Sequence, residues 1–161
     1  MTTKMLQTLN PYNCCPSALI AANEDIFNGD PASDVISLAL YETVLFLIVK
    51  NAGATGTATI TVESCDDTTP TTTTAIAFMY KACTTGNTWG AATAATTAGF
   101  TTTAGADQCY AIEVSADELS GTDKYVRLQA TEVVDNPCDG AILCILGSPR
   151  YAKDVLPAAI T

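Results

Sequence analysis

The sequence predicts an all-β protein, an antiparallel β-sandwich or jelly-roll-like domain with extended N- and C-terminal arms. Short β-type runs recur with turn-rich segments between them: DVISLAL, ETVLFLIVK, GTATITVESC, TAIAFMYKAC, CYAIEVSA, KYVRLQATEV and AILCILG. That spacing suits a sandwich rather than alternating βαβ units. Within several runs apolar and polar residues alternate, the period of a half-buried strand. Threonine is abundant, and its β-branched side chain fits a pleated surface but loses rotamer freedom in a helix.

Taken in order, residues 1–33 carry Pro11, Pro16, Gly29 and Pro31 with little periodicity and read as an N-terminal arm, with room in SALIAANEDIF for one or two helical turns. The β-sandwich domain spans 34–147, and the tail SPRYAKDVLPAAIT occupies 148–161. In GTATITVESC, Ile60 and Val62 face the core while Thr57, Thr59, Thr61 and Glu63 face outward, and Cys65 falls on the outward parity. In TAIAFMYKAC, Ile76, Phe78 and Tyr80 share the inner face, which leaves Cys83 outside with Met79 and Lys81. In QCYAIEVSA, Tyr110, Ile112 and Val114 alternate against Cys109, Ala111 and Glu113. Val126 and Leu128 complete the predicted core. AILCILG is apolar on both faces, so Cys144 is expected as an ordinary buried thiol, whereas Cys138 in the turn-like DNPCDG is expected to be exposed. NAGATGT lies between two strand patterns with no following helix, which makes it a hairpin turn and not a phosphate cradle. Trp89 is expected to close one end of the core, with anchoring a partner as the alternative.

Composition narrows the function. A chain of 161 residues fits one domain. A net charge of −10 with no histidine opposes contact with nucleic-acid phosphates and with anionic membrane surfaces. The longest aliphatic run, VLFLIV, is too short to span a bilayer. MTTKMLQTLNPYN lacks the apolar core of an export signal, so synthesis in a cytoplasm is expected. Zinc ligation is disfavoured because there is no C-x₂-C pair and no histidine, and a cysteine or serine nucleophile would lack its imidazole base. The carboxylates Asp66, Asp67, Asp117, Glu118 and Asp123 read as turn formers, and SADELSGTD lacks the ligand spacing of a dedicated calcium loop. No enzyme activity, catalytic residue, metal or cofactor is therefore expected.

The strings ATGTATITVESCDD, AIAFMYKA, TWGAAT, FTTTAGADQCYAIEVSADEL and YVRLQATEVVDNPCDGAILCILGSPRYA resemble small virion proteins of tailed bacteriophages, of the capsid decoration or cement type. The resemblance covers about residues 35 to 152 and rests on GTATITVE, the F-x-Y of Phe78 and Tyr80, Trp89 and the closing GSPRYA. It implies a structural protein on the outer capsid surface. Its partners would be the major capsid protein and neighbouring copies of itself in a homo-oligomer, a trimer being one arrangement. The high acidity fits the outside of a shell, away from packaged DNA. The alternatives are a neck, collar or fibre-attachment protein of the virion, or a bacterial surface-adhesion β-module, which would need an export signal.

The family pattern does not demand cysteines at Cys14, Cys15, Cys65, Cys83, Cys109 or Cys138. Adjacent cysteines have Cα atoms about 3.8 Å apart, short of the usual disulfide span of about 4.4–6.8 Å, so Cys14 and Cys15 should not bond to each other. The total of seven is odd, Cys65, Cys83 and Cys109 have outward parity, and Cys14, Cys15 and Cys138 lie in turn-rich segments, so these six are candidates for inter-chain disulfides formed once lysis exposes the virion to oxygen. The alternative is that all seven stay reduced. Cys144 is expected to stay reduced in either case.

Overall fold

A computed structural model of the protein describes residues 8–14, 25–51 and 55–151. Among them the strands run in the order β1 (Asn10–Asn13), β2 (Ile36–Ser37), β3 (Tyr41–Lys50), β4 (Thr57–Cys65), β5 (Thr73–Ile76), β6 (Phe78–Cys83), β7 (Thr93–Ala95), β8 (Phe100–Thr101), β9 (Cys109–Ser115), β10 (Tyr125–Val134) and β11 (Gly140–Pro149), with a 3₁₀ turn at Ala116–Glu118. One sheet has the order β1-β11-β3-β9-β6-β7; the other has β2-β10-β4-β5, with β8 also paired to β4. Neighbouring strands are antiparallel throughout. The sheets pack across one shared core, and the fold is an all-β sandwich, as the alternation predicts.

The predicted core residues Ile60, Val62, Ile112, Val114, Val126 and Leu128 are fully buried, and Ile76 and Phe78 nearly so. The run read as one strand, TAIAFMYKAC, breaks at Ala77. β5 pairs with β4 in one sheet and β6 with β9 in the other. The chain thus changes sheets between two side chains that both point into the core.

The arm expected over residues 1–33 is corrected where it is described. Asn10–Asn13 adds an edge strand to β11, in register from Asn10 opposite Leu146 to Asn13 opposite Leu143. Ile26 and Phe27 are fully buried, an apolar doublet too short to show periodicity. Residues 30–33 then line the edge of β10: Pro31 accepts from the Ala130 N–H, and the Ser33 hydroxyl accepts from the Leu128 N–H at 3.0 Å. Proline lacks a donor and so suits an edge position. Most of SALIAANEDIF and of the tail, together with Cys15, lies outside the described residues.

Candidate functional site

The most distinctive surface is the outward face of the six-stranded sheet. Along β3 the inward side chains Val44, Phe46 and Ile48 are fully buried, and the outward ones are Leu45, Leu47 and Val49. β11 repeats this, with Ile142, Cys144 and Leu146 inward and Ala141, Leu143 and Ile145 outward. The register sets the outward residues in rows: Ile145 beside Leu45, Leu143 beside Leu47, and Ala141 beside Val49. The rows continue onto β9, where Leu45 meets Glu113 and Leu47 meets Ala111, and onto β6, where Glu113 meets Met79 and Ala111 meets Lys81. Apolar cross-strand neighbours stabilise each row. Strands that are apolar on both sides normally belong to sheets covered on both sides, yet Leu143 is 36% and Met79 39% exposed.

The outward face of the other sheet is different in kind. β4 presents Thr59, Thr61 and Glu63, and β10 presents Arg127, Gln129 and Thr131 in register with them, with an Arg127–Glu63 ion pair at 2.7 Å. That is the ordinary solvated side of a sandwich.

Trp89 belongs to the apolar face, which corrects the core reading. It is 44% exposed and, with Leu45, Leu47, Met79 and Ala111, bounds an open groove of about 360 Å³. Its loop is fastened by the Gly90 N–H donating to the Ala82 carbonyl at 2.8 Å. The space expected for tryptophan is taken by Phe100 on β8, stacked on Tyr80 at 4.0 Å and edge-on to Phe78 at 6.2 Å. No periodic pattern marks Phe100, because its strand is two residues long.

The structure corrects most of the cysteine expectations. Cys65 keeps its outward parity but is fully buried between its cross-strand neighbours Thr73 and Tyr125. Cys138 is not exposed. It is fully buried, and its carbonyl accepts from the Ile26 N–H at 3.0 Å, which ties the 25–27 segment down at its turn. Cys14 is fully buried and extends the β1 ladder, its N–H donating to Ile142 and its carbonyl accepting from Asp34. Cys83 is buried and stands opposite the half-buried Cys109 in register, at the strand end where the Trp89 loop folds back. Cys144 is buried, as expected. Burial pushes the Cys65 and Cys138 thiols up to about 11 and also raises Cys109, so the nucleophilic thiolate is suppressed at neutral pH.

These shifts have a consequence for stability. Unfolded thiols ionise near 9.0 while the native Cys65 and Cys138 hold their protons to about 11. Between those values the unfolded chain binds fewer protons, so stability falls as pH rises. About 2–3 kcal/mol is lost per thiol across that window. Lys50, lowered by burial, acts in the opposite sense. Urea midpoints measured under reductant at pH 8.5 and pH 11 should therefore fall less in Cys65→Ala and Cys138→Ala than in the wild type; equal falls would contradict the assignment.

Asp67 and Glu118 hold local turns, and Asp123 reaches across to β4. Asp67 accepts from the Thr69 N–H at 2.7 Å, Glu118 from the Ser115 N–H at 2.7 Å, and Asp123 from the Ser64 hydroxyl at 2.7 Å. Among the described residues no group of three or more Cys, Asp or Glu side chains could hold a metal ion. No family model matches the chain, and no curated protein or solved structure matches it.

Proposed function

We propose that the protein is a non-enzymatic structural subunit of a tailed-phage virion, a decoration or cement protein of the outer head surface. The observation that carries this reading is the apolar outward face of the six-stranded sheet, built from two adjacent strands whose sequences are apolar on both sides. Such a face supports docking against protein, and apolar burial is the main favourable contribution to most protein association. The net charge of −10 suits a position outside the shell, away from packaged DNA. The sequence resemblance over residues 35 to 152 supplies the phage context.

Burial changes the disulfide part of the reading. Of the six candidates, Cys109 is half-buried and sits in the outermost row of the docking face, while Cys15 lies outside the described residues. These two are the positions that the proposed inter-chain bonds retain. The test is quantitative mass spectrometry of purified particles. Copies in the hundreds, partitioning with heads, support decoration; a dozen or so, partitioning with the neck, would support the neck or collar reading instead. Absence from particles overturns the virion assignment.

A further inference from the structure

We infer that the apolar sheet face is a two-fold interface between two copies of this chain, with Lys81 of each copy seated against the Glu113 carboxylate of the other. The inference rests on the docking reading of that face and names its occupant. Across the outward rows of β11, β3, β9 and β6, the charged side chains are Lys81 and Glu113, one of each sign. They lie on neighbouring strands two residues apart in register, since Lys81 stands opposite Ala111 and Met79 opposite Glu113. Among the described residues the ion pair is Arg127–Glu63; Lys81 and Glu113 form none with each other and both are exposed.

A chain with 17 acidic and 7 basic residues repels its copies over most approaches. The apolar face, with one charge of each sign, is a surface where that repulsion is weak and where apolar area is also available to bury. It is also self-complementary. An axis lying between two stacked sheets, passing beside Leu47 and Ala111, exchanges the Lys81 and Glu113 positions, which is the isologous arrangement that a two-fold dimer requires. Size agrees with a reversible contact. Four strands at about 4.8 Å spacing and three outward rows, extended by Trp89, cover roughly 500 Å² per copy. Two copies then bury about 1,000 Å², the lower bound for a specific interface and the size class of weak, transient contacts.

The experiment is sedimentation equilibrium of the reduced full chain at low salt, with circular dichroism to verify that each variant is folded. Wild type should show a monomer–dimer equilibrium. Lys81→Glu sets carboxylate against carboxylate across the axis, and Glu113→Lys sets ammonium against ammonium, so each variant alone should dimerise at least tenfold more weakly. Mixed one to one, the two variants should recover a heterodimer, because both cross-contacts then set a carboxylate of one copy against an ammonium of the other. A contact within one chain cannot produce that recovery. Wild type that stays monomeric at hundreds of micromolar, a trimer, variants that self-associate like wild type, or a mixture that stays monomeric would each overturn the inference. A dimer from a chain absent from particles would leave this inference standing and remove the virion reading; a monomer abundant in particles would do the reverse.

Discussion

Truncating Phe78 to alanine is expected to destabilise the sandwich by about 3–5 kcal/mol, the range for emptying a buried phenylalanine site. The effect should be at the high end, because Phe78 holds more than its own volume. It is the first residue of β6, immediately after the chain changes sheets, and is 3% exposed. Its ring packs edge-on against Phe100, which stacks on Tyr80 and tilts against Tyr110 at 5.6 Å. Phe100 in turn belongs to β8, a two-residue strand held to Ile60 and Thr59 of β4. A cavity at Phe78 therefore removes support from a strand too short to hold itself. Urea denaturation should show a lower midpoint with an unchanged slope. A loss below about 1 kcal/mol, well under the usual cost of such a cavity, would mean that the two sheets are not joined through this cluster.

The second large effect is expected at Lys50. It ends β3, is 1% exposed, and its ammonium donates to the carbonyls of Gly56 at 2.9 Å and Thr103 at 2.8 Å. Two loops distant in sequence are thereby fastened to one strand end. Burial pulls the ammonium below its ordinary value, with the neighbouring Cys138 and Asp25 opposing that shift, so the charge itself is costly to bury. Lys50→Met keeps the length and removes the donors, leaving two carbonyls unsatisfied at about 1–3 kcal/mol each. Relief of the buried charge offsets part of this, and a net loss of about 2–3 kcal/mol is expected. Hydrogen exchange should accelerate around residues 55–57 and 102–104. A variant as stable as wild type, with unchanged exchange, would show that the loops hold without the lysine.

Strand faces are legible in the sequence where the period is local. Ile60 and Val62, or Ile112 and Val114, disclose their side within five residues, and that is all a sandwich needs to place them. Burial of cysteines is not legible, because parity tells which way a side chain points but not what lies over it. Cys138 is covered by a segment more than a hundred residues earlier, and Cys65 by neighbours on two strands. Edge strands fail for a related reason: Asn10–Asn13 joins β11 mainly through its backbone, and its Pro11 and two asparagines give no strand signal. The apolar face is half visible. AILCILG shows two apolar sides and ETVLFLIVK reads as a strand, but the register of Leu45 with Ile145 and Leu47 with Leu143 is what makes them one surface. Trp89 escapes placement because a loop carries no periodicity, and Phe100 already fills the core end that a tryptophan would close.

That same tryptophan offers the most direct test of the central claim, that the apolar face is covered in the assembled protein. Trp89 is the single tryptophan of the chain and borders the face, so its fluorescence reports on that surface without a label. Acrylamide quenching should be compared between the dilute chain and the concentrated, self-associated chain. The account predicts a blue-shifted emission and a several-fold smaller quenching constant on assembly. Equal quenching and emission in both states would contradict it, because the face would then remain open to water when the protein is in place.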